Sequence, residues 1–332
     1  MLGNCAVAAL VLAGLAAALR VGRSPLWRQA GRELRRRRPF ALLVVALYAA
    51  IALLDSIAWV DHEGGGVHEA RSLLVRAFPA DFREASYSAP LADVEFYGGA
   101  PLRHPGSHWL GTDILGRDVL LQALRGARVA LLVGGLTSLI SIPLALLFGV
   151  AAGYRGGRVD DVVFFVTSTL ASMPGLLLLV ALVMALGRGP VQVCIALGVT
   201  GWVGFARLAR GETFKLRELD YVQAARALGV PELRIVLRHV VPNLMHLVVI
   251  TFVLTFSGLV LSEAVLSWLG LGIDGSWGQM IDQARDELSR EPAIWWNLTA
   301  ASAALFGLIL AVNLVGDAVR DILDPRTLRE RA

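Results

Sequence analysis

The sequence predicts an all-α membrane protein with seven spans, and three observations carry that prediction. Of the 332 residues, 56% are hydrophobic and 17% are charged, against roughly 25% charged in an ordinary soluble domain. The mean hydropathy is +0.62. The apolar residues are gathered into uncharged runs at 1–19, 129–154, 162–187, 189–206, 239–262 and 292–316, lengths that match the roughly 17–25 helical residues needed to cross a bilayer. A seventh run, 39–60, is interrupted only by Asp55 near its end, where a carboxylate can reach the interface and escape most of the membrane penalty. A barrel is excluded because the runs lack the alternation of barrel strands.

The order of the elements follows from the arginines, since cytoplasmic loops carry an excess of basic residues. Loops on the same side as segment 20–38 hold 21 of the 31 basic residues and the others hold 10. Segment 20–38 is therefore placed inside, followed by a first core span to residue 60. Five further core spans occupy 129–316, and the tail 317–332 returns to the cytoplasm. Run 1–19 adds an N-terminal span and puts Met1 outside. It lacks the basic start of a signal peptide, and the arginines after it form a stop-transfer pattern. An extra span is expected in preference to a misassigned start that adds an upstream stretch. The net charge of +4 is thus a topology signal and not a nucleic-acid signature. Cys5 and Cys194 lie in separate apolar runs, which excludes a disulfide framework.

Segment 61–128 is too polar to span. Its nine acids nearly balance seven basic residues, and Pro79, Pro90, Pro101, Pro105 and several glycines divide it into short pieces. A compact extracytoplasmic loop or small cap is expected there.

The inside loop 207–243 has the grammar of two short helices. Asp220 is a suitable N-cap, and Gln223 three residues on completes a capping-box pattern. Ala224, Ala225, Ala227 and Leu228 favour helix. Gly229 stands where a left-handed residue would end it, and Pro231 where a second helix would begin. Leu233, Val236, Leu237 and Val240 give that second helix an apolar face until Pro242 closes it. A helix of small residues ending in glycine lets another surface approach closely, so docking of a soluble partner stands beside the plainer reading of an amphipathic connector on the membrane surface.

Asp220-Tyr221-Val222-Gln223-Ala224-Ala225-Arg226-Ala227-Leu228-Gly229, with Arg238-His239 and Pro242-Asn243, resembles the cytoplasmic EAA loop of ABC-transporter permeases in its peptide-transporter version. Gln223 occupies the position that gives the motif its glutamate. Leu110-Gly111-Thr112-Asp113 with Leu115-Gly116-Arg117-Asp118 resembles the signature before the second core span of the dipeptide and oligopeptide permeases of the C type. Glu263-Ala264, Leu266-Ser267-Trp268-Leu269-Gly270-Leu271-Gly272 and Ser276-Trp277-Gly278 resemble the segment after the fifth, with a shorter link at 273–275. Asn313-Leu314-Val315-Gly316-Asp317, Arg320-Asp321 and Asp324-Pro325-Arg326 complete the pattern. The resemblance implies a six-helix ABC importer permease core in a bacterial inner membrane, preceded here by the extra span. It implies a second homologous permease, two ATPase subunits that bind ATP and Mg, and an extracytoplasmic binding protein delivering peptides. The segment from Asp220 to Gly229 is then the coupling helix that rests in a cleft of the ATPase. No cofactor is implied for this chain, and lipid is its other neighbour.

The missing chemistry agrees. A phosphate-cradling P-loop ends in Gly-Lys-Ser/Thr, whereas the one lysine, Lys215, lies in Phe214-Lys215-Leu216. His62-Glu63 is followed by three glycines, so the second histidine of a zinc protease motif is absent. His104 and His108 are separated by Pro105 and Gly106, and Thr255 stands where a membrane serine protease would place glycine before Ser257. A transport subunit without its own ATPase is expected, not an enzyme. The alternative, a secondary carrier acting alone, would be expected to place ionisable groups at mid-span, and Asp55, Glu263 and Asp317 all fall at or near span ends.

Overall fold

The computed structural model describes residues 25–59, 71–79, 82–187 and 189–323. Run 1–19, His62-Glu63 and Asp324-Pro325-Arg326 lie outside the described residues. Helix α1 (Pro25–Arg37) leads into α2 (Pro39–Ser56), followed by a two-residue ribbon, β1 (Ala58–Trp59) and β2 (Arg71–Ser72), and the single turn α3 (Leu73–Arg76). Then come α4 (Val119–Arg155), α5 (Gly157–Ser172), α6 (Gly175–Leu186), α7 (Pro190–Arg217), α8 (Asp220–Ala227), α9 (Glu232–Ile235), α10 (Val241–Trp268), α11 (Trp277–Leu288) and α12 (Trp296–Leu323). A π-helical segment, Val236–Val240, joins α9 to α10 without a break. The helices α2, α4, α7, α9 to α10 and α12 are long and apolar enough to cross a membrane, and α5 with α6 supplies a sixth span as a bent pair. An all-α membrane core of six spans is what the sequence predicts.

Three elements depart from the charge-to-charge reading. The run 162–187 is not one straight helix, because α5 and α6 meet at 93°. Proline disfavours helical geometry in the residue before it, and Met173, preceding Pro174, is extended at φ −83° and ψ 139°. Helix α4 starts ten residues before residue 129, and its 37 residues reach about 55 Å at 1.5 Å each. Asp118 permits that early start by accepting a hydrogen bond from Leu121 N at 2.8 Å, a side-chain cap on an otherwise orphaned amide. Helix α7 likewise continues past residue 206 to Arg217, since charge ends a span without ending a helix.

The described residues form two compact units. The first contains those up to Gly134 together with Val260–Ala318. At its centre the Trp277 indole donates to Ala123 O at 2.7 Å, and Gly126 leaves room for that ring, which an added Cβ would strike. Tyr48 meets Trp277 edge-on, with centroids 5.8 Å apart, and donates to Ala304 O at 2.8 Å, tying α2 to α12. Asp55, the penultimate residue of α2, is fully buried. Its carboxylate accepts from Ser72 Oγ at 2.7 Å and lies 3.6 Å from Arg125 Nε and 3.3 Å from Arg128 Nε. Local pairing makes that buried charge tolerable.

The second unit contains Gly135–Leu259 and the described residues from Val319. Helices α4 and α7 approach closely through small residues. A Cβ on Gly149 would lie 2.5 Å from Ala206 O, and one on Gly153 would lie 2.6 Å from Arg210 O. This spacing of glycines four apart is a packing device of membrane helices. Arg210 pairs with both carboxylate oxygens of Asp160, joining α7 to α5, and Arg207 donates to Thr167 O at 3.2 Å.

Candidate functional site

Within the second unit, α8 projects from the polypeptide between α7 and α10 and is held by one buried side chain. Val222 packs with Val150 and Tyr154 of α4 and with Ile235, Val240 and Leu244. Ala225 and Val230 are partly buried against the same cluster. The opposite side of α8 is open. Tyr221, Ala224, Ala227 and Leu228 are exposed, Leu228 at 83%, and Leu233 and Leu237 extend this apolar surface beyond the turn at 71% and 60% exposure. The expected apolar stripe of the second helix is therefore divided, with Val240 buried and Leu233 and Leu237 turned out.

The turn after α8 fulfils the glycine expectation. Gly229 has φ +74°, its amide donates to Arg226 O at 3.0 Å, and Val230 N donates to Ala225 O at 3.1 Å. These two bonds are the Schellman pattern that satisfies the final carbonyls of a helix. The start of α8 corrects the capping-box expectation. Leu219 is the cap residue and Asp220 is already helical, so the Asp220 carboxylate acts through the positive end of the helix dipole. Gln223 Nε2 donates backwards to Arg217 O at 2.8 Å, supplying a partner to a terminal carbonyl of α7. Arg217 donates to Gly153 O at 3.1 Å, and Arg226 lies 5.2 Å above the Tyr154 ring.

The expected stop at Pro242 is also corrected, since the chain stays helical through it. Proline removes an amide donor, and its ring clashes with the carbonyl four residues back. The preceding π segment changes the bonding register, with Val241 N donating to Val236 O, five residues back. Arg238 and His239 lie in that segment, Arg238 exposed. Asn243, one residue after the proline, donates to His239 O at 2.6 Å and to Tyr221 Oη at 3.0 Å. The structure thus brings Tyr221, Gln223, Gly229 and Asn243 into one braced unit around Val222.

A second constellation lies in the first unit. Asp113 accepts from Leu115 N and Arg117 N at 2.8 Å each and from Arg117 Nε at 2.7 Å, closing the turn between two left-handed glycines, Gly111 and Gly116. A Cβ on Gly111 would lie 2.5 Å from Ser88 O. Thr112 accepts from Ser88 N and donates to Ala85 O, both at 2.8 Å, while Thr112 O accepts from Trp296 Nε1 at 2.9 Å. Asp118 adds a 2.8 Å contact to His108 Nδ1. Glu263, at the end of α10, is buried, accepts from Ser267 Oγ at 2.5 Å, and Ser267 in turn contacts Ser276 Oγ at 2.9 Å. Gly270 is left-handed and closes α10 with a second Schellman turn. Gly272 and Gly278 sit against Ser267, where added Cβ atoms would collide. Asn313 and Asp317 lie on α12, with Asp317 exposed. Sequence reasoning missed the Trp277 and Trp296 indoles as organisers, although each tryptophan bordering a polar break was a visible signal.

Comparison with known proteins matches residues 145–329 to the family described as the inner membrane component of binding-protein-dependent transport systems. The chain is 37% identical over 229 residues to the dipeptide transport system permease protein DppC of Bacillus subtilis (strain 168), covering 67% of this chain and 70% of that one. It is 35% identical over 223 residues to the glutathione transport system permease protein GsiD of Pectobacterium atrosepticum, covering 66% and 73%. A Brucella suis chain named for a peptide transport system permease is 34% identical over 311 residues, 92% of this chain and 94% of its own.

Proposed function

Because the chain belongs to the family of inner-membrane components of binding-protein-dependent transport systems, we propose that its α8 surface couples ATP hydrolysis on separate subunits to import of short peptides. Membership makes it a permease subunit of an ATP-driven importer, which removes support from the stand-alone carrier. The peptide class rests on relatives named for dipeptides, oligopeptides and glutathione. In this reading the core has both ends in the cytoplasm, segment 82–118 faces the extracytoplasmic binding protein, and a second, homologous permease completes the path. ATP and Mg reside on two partner ATPases, with no cofactor on this chain.

The observation that carries the reading is the two-sided build of α8. Its exposed face offers Ala224, Ala227 and Leu228, small or apolar groups that a cleft can cover without desolvating charge. Its buried face offers Val222 to α4 and to the α9–α10 junction. A push on the open face is therefore delivered to two spanning helices through a close-packed contact, which transmits displacement and does not absorb it. Alternating access follows as a two-state rearrangement biased by ATP.

The test is Gly229→Val in the reconstituted importer. A non-glycine residue in the left-handed region costs about 1–2 kcal/mol, and an added Cβ at Gly229 meets nothing within 4 Å, so the change falls on the turn and not on packing. Expected are normal membrane insertion and loss of ATP-driven peptide uptake. Uptake at the unaltered rate would overturn the coupling role.

A further inference from the structure

Glu287, at the end of α11, and Asn297, at the start of α12, are both almost fully buried. Asn297 Nδ2 donates to Met280 O and to Glu287 Oε1, each at 3.3 Å. Two acceptors on one amide nitrogen fix which end of the side chain carries the N–H groups. Asn297 Oδ1 and Glu287 Oε2 are then left buried without a hydrogen-bond partner. Leaving such an acceptor unsatisfied forfeits its hydration without return, so two in one hydrogen-bonded pair call for a common cause.

A carboxylate only accepts hydrogen bonds, whereas a carboxylic acid carries one O–H donor. An amide facing a carboxylic acid forms a cyclic pair, with N–H donating to one acid oxygen and the acid O–H donating to the amide oxygen. We propose that Glu287 is a proton-binding site, holding a proton on Oε2 and donating it to Asn297 Oδ1. One proton thereby satisfies both orphaned atoms and makes the α11–α12 corner a proton-dependent joint.

The surroundings agree. Burial pushes the Glu287 carboxyl above the ordinary carboxylate range, the Asn297 hydrogen bond opposes this, the charge of Asp113 adds to it and that of Arg290 opposes it. Asp113 comes from the glycine-bounded turn and Arg290 from the link after α11, where its guanidinium lies 4.7 Å above the ring of Tyr87. Asp113 is engaged by three N–H groups, whereas Glu287 Oε2 has no donor facing it. The joint reaches the signature turn through the neighbour of Asn297, since Trp296 donates to Thr112 O. Loss of the proton would set two acceptors against each other and loosen this corner. The inference stands apart from the coupling role of α8.

Infrared difference spectroscopy on the full chain, purified with its partner subunits, tests it. At pH 7 a carbonyl stretch of a protonated carboxylic acid is expected in the wild type and absent from Glu287→Gln. Glutamine can donate to Asn297 Oδ1 through its own amide, so Glu287→Gln should keep the thermal midpoint that Glu287→Ala loses. If Glu287→Gln does not accumulate, Asn297→Leu serves, and the wild-type band should move to higher frequency as its hydrogen bond is lost. A band insensitive to these substitutions, or Glu287→Gln as unstable as Glu287→Ala, would overturn the proposal.

Discussion

Single side chains set the tolerances of this protein, and Gly126 shows how tightly. Its missing Cβ is the space taken by the Trp277 indole, which is also fixed by its bond to Ala123 O. Gly126→Ala should lower stability by roughly 1–3 kcal/mol through overpacking, read as a lower thermal midpoint of the purified complex. Gly204→Ala, where an added Cβ meets nothing within 4 Å, is the matched control and should gain up to about 1 kcal/mol from helix propensity. Equal effects at the two positions would refute the steric account. Composition could not separate these glycines, because the ring that distinguishes them comes from a segment some 150 residues away, a separation of 154 for the indole bond itself. Asp55 was half legible. As the lone acid of its run it stood out, but nothing in the sequence distinguished Arg125 and Arg128, three residues apart on α4, from the other arginines of 61–128 as its partners. Glu287 and Asn297 carried no such signal, since neither belongs to a motif and their pairing depends on the corner between two helices.

At the scale of elements, neither proline acts as the sequence suggests: run 162–187 reads as one span through Pro174 and Pro242 reads as a stop, and the effect of each depends on what the chain can rearrange. Pro174 breaks a span into arms set at 93°, whereas Pro242 is absorbed by a π segment and the helix continues. The difference is legible afterwards in the neighbours. Pro174 follows Met173 in an extended conformation, while Pro242 follows a helix that could shift its bonding by one residue. Pro242→Ala removes the clash that sustains the π segment. A return to α geometry would turn everything before it by about 100°, the angle of one helical residue, and misplace α8 relative to α10. Transport should fall severalfold with the thermal midpoint unchanged or raised. Unchanged transport with regular α-type amide exchange protection through 236–240 would show that the π segment has no such role.

For the whole molecule, the six spans were legible because bilayer thickness imposes a length that charge-to-charge counting measures directly. The polar segment was legible only as an interruption, and its internal order depends on backbone turns that hydropathy does not report. Glu84 in that segment and Glu287 on α11 are carboxyls shifted in opposite directions. Burial raises Glu84, but hydrogen bonds from the backbone of Arg103, His104 and Ala85, with the charge of His108, bring its carboxyl below the ordinary value. Glu84 therefore contributes stability that is present above its unfolded value of about 4.3 and is lost as pH falls through the lower folded value. Glu287, raised by burial, has the opposite sign. Its contribution is full below about 4.3 and is lost as pH rises through the raised folded value. The thermal midpoint should thus peak at mildly acidic pH, with Glu84→Gln flattening the acid limb alone and Glu287→Gln the alkaline limb alone. Both limbs surviving both substitutions would assign the profile to other groups.

The near absence of lysine has a practical corollary. Lys215 lies in the last turn of α7 with its side chain 75% exposed, and its ammonium is 2.9 Å from Glu212, five residues before α8 begins. A protease that cuts only after lysine has one bond to attack in this chain, Lys215–Leu216. The chain thus carries a built-in footprinting address beside the proposed coupling surface, and protection of that single bond would report, in one gel lane, whether another subunit is seated there.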